Sequence, residues 1–257
     1  MIKFLIVFII FPGLLFSKDL FLYKLQSTKI NDEVAIKNVK YIEKREFYDN
    51  FFTPEKLKIL KECYLKNKKW LKKAEKLYNV DPNIIVSILT VESLCGKYHE
   101  KYNIVEVYKT LNFLKKNKKY QKKIFQIVKK KYPKTSKKWF IKRINKKSKW
   151  AKVQLKALEK MYKFYNIDVF KIKGSWAGAF GLPQFIPTTF LHYAVDGNND
   201  GKIDLTQFSD AILSIANYLK RNGWKEKLSY NKKIKVILRY NYSKLYAITI
   251  LKLSEKI

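Results

Sequence analysis

Glu92 has the surroundings of a reactive carboxyl. It follows the run Ile84-Ile85-Val86-Ser87-Ile88-Leu89-Thr90-Val91, which is apolar nearly all round. A carboxyl among apolar neighbours has its anion disfavoured by desolvation, so its pKa rises. In the last turn of a helix the negative end of the backbone dipole acts in the same direction. A carboxyl that keeps its proton near neutral pH can serve as a general acid. The same spacing also suits an ordinary, partly exposed glutamate, so Glu92 alone decides nothing.

A second cluster is Gly174-Ser175-Trp176-Ala177-Gly178-Ala179-Phe180-Gly181-Leu182-Pro183-Gln184-Phe185-Ile186-Pro187. Small residues at this density let a ligand or another backbone approach closely. Gln184 offers a donor and an acceptor among aromatic neighbours. That combination suits a sugar, whose C–H face stacks while its hydroxyls hydrogen-bond. A tight corner between helices would use the same composition.

Helices must position these residues. Thr53-Pro54-Glu55 reads as a helix start, with Leu57, Leu60, Cys63 and Tyr64 at helical spacing and Trp70, Leu71, Ala74, Leu77 and Tyr78 continuing it. Asp81-Pro82 caps the Glu92 helix, which ends at Gly96. Further helices are predicted over 103–114, 119–131, 136–147, 149–165 and Ser209–Arg221, the last stopped by Asn222-Gly223. Ile234–Leu238 fits a strand or a helix, and the stretch up to about residue 50 is poorly patterned. The expected fold class is mainly α, in one unit without internal repeats.

The chain has 257 residues, 47% of them hydrophobic, and a formal charge of +34. It is long enough to bury a sizeable core, and the charge calls for a polyanionic partner. Residues 115–150 carry seventeen Lys+Arg and no acid, with apolar residues at helical spacing around Pro133. They read as two basic amphipathic helices, either a solvated face or a docking surface. Lys3, the thirteen-residue apolar run Phe4–Phe16 and Ser17 form the pattern of a secretory signal peptide over 1–17. Export argues against nucleic acid as the partner and for a polyanion at the cell envelope. No cysteine follows the run directly, so no lipid anchor is expected there. Two cysteines and two histidines exclude a multi-cysteine zinc scaffold. Cys63 and Cys95 are an even pair in an exported chain, compatible with a disulfide or with two buried thiols. On the helix of Glu92, a bridge at Cys95 would brace the acid.

Several motifs together resemble one family. They are Val80-Asp81-Pro82-x-Ile84-Ile85-Val86-x-Ile88-x-x-Val91-Glu92-Ser93-x-x-Gly96, and the glycine-rich block through Gln184-Phe185-x-Pro187. Tyr193-Ala194-Val195-Asp196 through Ala216-Asn217-Tyr218 and Gly223-Trp224 follow, then Arg239-Tyr240-Asn241-x-Ser243-x-x-Tyr246-Ala247. In this order, over 66–114 and 152–253, they resemble the lytic murein transglycosylase B family. The resemblance implies a lysozyme-like (goose-type-like) α fold over 18–257 that cleaves the MurNAc–GlcNAc β-1,4 bond of peptidoglycan without water. Glu92 corresponds to the single catalytic acid and base, and Ser175 and Gln184 to glycan-contacting residues. Tyr218, Tyr240, Asn241 and Tyr246 correspond to positions lining the cleft. No cofactor is implied for the chemistry, and the protein is expected to act on glycan strands as a monomer.

The resemblance also implies an EF-hand-like loop over 196–207. Asp196, Asn198, Asp200, Lys202 (through its carbonyl) and Asp204 fall at the calcium-ligand positions, with Gly201 at the turn. Gln207 stands where an acid is usual, which weakens a calcium site, and Asp210 is a partial substitute. A metal-free Asx-rich turn is the alternative. Residues 115–150 depart from the family pattern and read as a basic insertion that could dock other envelope polyanions. A non-catalytic cationic peptidoglycan-binding or scaffolding module remains the alternative function.

Overall fold

The computed structural model describes residues 12–40 and 45–257, so most of the candidate leader 1–17 lies outside the described residues. The stretch without clear patterning holds three helices, α1 (Pro12–Ser27), α2 (Asp32–Val39) and α3 (Arg45–Asp49). Their apolar faces are short, which hides them from a periodicity reading, but local bonds fix α2. The Asn31 side-chain oxygen accepts the Val34 N–H at 3.1 Å, an N-cap.

α4 (Pro54–Lys66) and α5 (Lys68–Tyr78) lead into α6 (Pro82–Ser93), which carries Glu92. Asp81 accepts the Asn83 N–H at 2.9 Å, and proline occupies the first turn, where its missing N–H removes no bond. The buried polar residues of α6 bond back into their own helix: Ser87 Oγ donates to Asn83 O at 2.7 Å, Thr90 Oγ1 to Val86 O at 2.9 Å and Ser93 Oγ to Leu89 O at 3.0 Å. The helix therefore sits in the core without orphaned hydroxyls. It ends before Gly96, because Leu94 (φ 48) and Cys95 (φ 51) are already left-handed. Cys95 is thus past the helix rather than on it. The disulfide Cys63–Cys95, with its Cα atoms 6.2 Å apart, ties α4 to this turn.

β1 (Tyr102–Asn103) precedes α7 (Ile104–Lys116), α8 (Lys118–Lys131) and α9 (Lys137–Phe164). α9 is one helix of 28 residues where two were expected. Lys147-Ser148-Lys149 contains no breaker, and Ser148 is small enough to be buried. The C-terminal half of α9 packs in the main core. Its N-terminal half contributes Phe140 and Ile144 to a second apolar cluster with Ala35, Val39, Leu114, Ile124 and Val128. The basic segment is a folded lobe with its own small core, and fifteen of its seventeen cations are exposed, Arg143 and Lys147 being half-buried.

β2 (Lys173–Gly174) pairs antiparallel with β1, Tyr102 opposite Gly174. α10 (Pro187–Tyr193), α11 (Phe208–Arg221), α12 (Tyr230–Tyr240) and α13 (Lys244–Ser254) complete the chain. Ile234–Leu238 lies within α12, with Val236 and Ile237 buried. α13, α4, α5 and α11 all pack against α6.

Candidate active site

A cleft of about 830 Å³ opens over the C-terminal end of α6, and its walls include Glu92, Glu100, Ser175, Gln184, Asn241 and Tyr246. Glu92 is half-buried at its floor. The Tyr246 hydroxyl donates to Glu92 Oε1 at 2.8 Å. Desolvation pushes the Glu92 carboxyl up to about 7, and the bond from Tyr246 opposes that rise by favouring the anion. Tyr246 is positioned at the start of α13, where Ser243 Oγ accepts its N–H at 3.1 Å. The Tyr246 ring is 1% exposed and stacks on Tyr240 at 6.4 Å, so its hydroxyl has a fixed direction.

The glycine-rich block forms the opposite wall. Ser175 N–H donates to Ala179 O at 2.8 Å and Ser175 Oγ accepts the Ala179 N–H at 3.2 Å, closing a tight loop. Gly178 (φ +86) sits against Tyr108, whose hydroxyl donates to Gly178 O at 2.9 Å; a Cβ here would come within 2.5 Å of that ring. Phe180 and Phe185 then bond to each other through two backbone bonds, and Gly181 to Gln184 make the turn between them. Gln184 has the left-handed φ of 48.

Glu100 is an acid that no sequence motif singles out. It lies in the same cleft, and its Oε1 accepts the Gly181 N–H at 2.6 Å and Gln184 Nε2 at 3.0 Å. Burial raises its pKa, and those two bonds oppose the rise. No local pattern marks it, since its partners come from the distant glycine-rich block.

Two expected cleft residues are elsewhere. Tyr218 and Tyr240 are not among the residues lining the cleft. Their hydroxyls donate to the backbone carbonyls of Arg239 and Pro183, and their rings meet edge to face at 4.9 Å. Phe185 packs on both, at 6.0 and 5.9 Å. Their hydroxyl hydrogens are spent on those carbonyls, and Tyr240, which Tyr218 packs against, braces Tyr246 and the Gly181–Gln184 turn from behind.

The acidic loop closes on itself. Asp196 Oδ1 accepts the Asn199 N–H at 2.7 Å and Oδ2 the Gly201 N–H at 2.8 Å. Asp200 accepts the Lys202 N–H at 2.9 Å and the Asn198 amide at 2.9 Å, and Asp204 accepts from Thr206. Gln207 contacts the Asn198 amide at 3.3 Å. Asp210 is buried and accepts the backbone N–H of Gly197 at 2.9 Å and of Asp204 at 2.7 Å, so it staples the two ends of the loop. Among the described residues no group of three or more His, Cys, Asp or Glu is gathered to hold a metal ion.

The profile of the family described as transglycosylase SLT domain matches residues 18–236. The chain belongs to this family. As a transglycosylase SLT domain protein it is 32% identical over 154 residues to membrane-bound lytic murein transglycosylase B of Escherichia coli K12, a match that covers 60% of this chain and 35% of that protein. The chain thus spans about a third of the length of that relative. Soluble lytic transglycosylase SltB1 from Pseudomonas aeruginosa shares its fold, with a TM-score of 0.75 and 21% identity over 93% of this chain and 92% of the other. SltB3 from the same organism, solved in complex with NAG-NAM-pentapeptide, has a TM-score of 0.70 at 19% identity, covering 95% and 78%. The mainly α, lysozyme-like architecture of the transglycosylase SLT domain is therefore the fold of this chain.

Proposed function

We propose that the chain is a lytic transglycosylase that cleaves the β-1,4 bond between MurNAc and GlcNAc and leaves 1,6-anhydroMurNAc ends. The observation that carries this reading is Glu92, a carboxyl at the floor of a sugar-sized cleft, raised to about 7 and held by Tyr246 at 2.8 Å. Such a group holds a proton at neutral pH and can also release it. The Glu92 proton passes to the glycosidic oxygen, and the C–O bond to MurNAc C1 breaks, freeing the GlcNAc hydroxyl. The resulting carboxylate then takes the proton of the MurNAc C6 hydroxyl as O6 bonds to C1. One carboxyl performs both transfers, unlike the paired carboxylates of most glycosidases. Tyr246 suits this cycle, since its hydroxyl stabilises Glu92 while it is an anion. Ser175, Gln184 and Asn241 border the same cleft and would contact the glycan.

No cofactor enters this chemistry. Calcium held by Asp196, Asn198, Asp200, Asp204 and the Lys202 carbonyl would have to displace hydrogen bonds that these carboxylates already make within the loop. Without a carboxylate at Gln207, and with Asp210 bound to backbone N–H groups, the site would be structural and weak, roughly 10⁻⁴–10⁻³ M in dissociation constant.

The working place is the periplasm, reached through the 1–17 leader. The disulfide supports an oxidising compartment. No helix among the described residues is long and apolar enough to cross a membrane. The basic lobe would hold the protein to anionic peptidoglycan and other envelope polyanions; among the described residues its cations make one ion pair, Lys123 with Asp32 at 2.5 Å. A purely cationic binding module would not need an acid held by a buried tyrosine. Mass analysis of products from purified sacculi tests the reaction: anhydro ends support it, and reducing ends would mean hydrolysis instead.

A further inference from the structure

Gln184 is held so that one end of its amide is committed. Its Nε2 donates to Glu100 Oε1 at 3.0 Å and to Gly181 O at 2.9 Å, which uses both hydrogens. Neither partner can change role. Gly181 O is a carbonyl, and Glu100 Oε1 already accepts the Gly181 N–H at 2.6 Å. Turning the amide over would set its oxygen against two oxygens, so the surrounding network fixes which end is nitrogen. The backbone of Gln184 is pinned as well, since its N–H donates to Gly181 O at 3.0 Å. Gln184 Oε1 is then the atom left to meet a ligand, in the cleft that holds Glu92.

We propose that Glu100 is a positioning residue that locks the Gln184 amide with its oxygen toward the cleft, so that this point selects a sugar group that donates a hydrogen bond. This inference rests on reading the cleft as a glycan site. The chemistry is that of an acetamido N–H or a ring hydroxyl. A glutamine free to turn over would accept donors and acceptors alike and would discriminate less. The carboxyl of Glu100 acts through Gln184 and needs no part in bond cleavage.

Binding of the N-acetylglucosamine tetramer and of cellotetraose to the full chain tests the lock, with Glu100→Ala and Glu100→Gln compared to wild type. Glu100→Ala should weaken the N-acetylglucosamine tetramer about tenfold, the scale of one charge-assisted hydrogen bond. Glu100→Gln should stay within about threefold, because its amide oxygen can still accept both bonds. On solubilised glycan strands the Glu100→Ala loss should fall on KM more than on kcat. Loss confined to the N-acetylglucosamine tetramer assigns the donor as the acetamido N–H; equal loss with cellotetraose assigns a hydroxyl. Affinities within about twofold of wild type for Glu100→Ala, or a kcat loss at unchanged KM, would overturn the lock. Should Glu100→Ala not fold, the wild-type Gln184 side-chain amide decides the matter by NMR: slow hydrogen exchange at both positions supports the lock, and fast exchange refutes it. Wild type that releases no anhydro product counts against the transglycosylase reading alone, since binding and exchange still report on Glu100.

Discussion

Tyr246 donates its hydroxyl hydrogen to Glu92 Oε1 across 2.8 Å, joining α13 to the last turn of α6. The two residues are far apart in sequence, and the contact sets the balance of the site. Burial favours the protonated form of Glu92, whereas the tyrosine favours the anion that the cycle also needs.

That balance has a signature in pH. Below about 7 Glu92 keeps its proton and can act as an acid, so kcat/KM should fall as pH rises through that value. Tyr246→Phe removes the group that favours the anion, which moves this limb to higher pH and lowers kcat by about tenfold. A pH–rate profile of both proteins checks the direction.

Stability should carry the same mark. The folded-state value of about 7 lies above the ordinary 4.5, so the folded chain binds a proton that the unfolded chain has released. The stability linked to this proton is fully present below 4.5 and is lost as pH rises through about 7. Glu92→Gln should remove that loss and be more stable than wild type at pH above 7, by about 1–3 kcal/mol. Denaturant melts over this range measure it.

The Cys63–Cys95 disulfide spans 32 residues and anchors the left-handed turn just past Glu92. Replacing both cysteines by serine should cost about 3–4 kcal/mol through loop-closure entropy. Thermal melts with and without reductant check this; an unchanged melting temperature would contradict it.

The basic lobe needs a more delicate test than deletion. Lys147 Nζ donates to Asn38 Oδ1 at 3.0 Å, and Asn38 in turn donates to the carbonyl of Trp176, a cleft residue, at 2.8 Å. Removing 115–150 would cut α9 and this brace together. Replacing exposed lysines of α8 and early α9 with glutamine should weaken sacculus binding and its salt sensitivity, while turnover of short soluble glycans changes less than about threefold. Equal loss of both would place the lobe in the catalytic cleft.

Calcium should matter little. Because Asp196 and Asp210 are already satisfied by backbone N–H groups, chelation should leave the melting temperature within about 2 °C, and only millimolar calcium should raise it. Micromolar affinity by calorimetry would contradict this.

Much of the site was legible because its signals are local. An apolar run behind Asp81-Pro82 announces a buried helix, and Glu92 inside it announces a perturbed carboxyl. The glycine block announces close backbone approach, which Gly178 against Tyr108 displays. What stayed hidden depends on packing between distant segments. Nothing in the spacing of Tyr218, Tyr240 and Tyr246 says that only the last reaches the cleft, since an aromatic bracing a wall has the same pattern as one lining it. Glu100 was invisible for a related reason: its importance comes from Gly181 and Gln184, which only the fold brings to it. The single long α9 escaped because lysine and serine neither extend nor break an apolar period.

The most direct test of the central claim is digestion of purified sacculi by wild type and Glu92→Gln, with products resolved by mass and bound protein measured alongside. Wild type should release 1,6-anhydro muropeptides, and Glu92→Gln should bind the sacculus equally well and release none. Anhydro products from Glu92→Gln at a rate near that of wild type would contradict the assignment of Glu92 as the single acid and base.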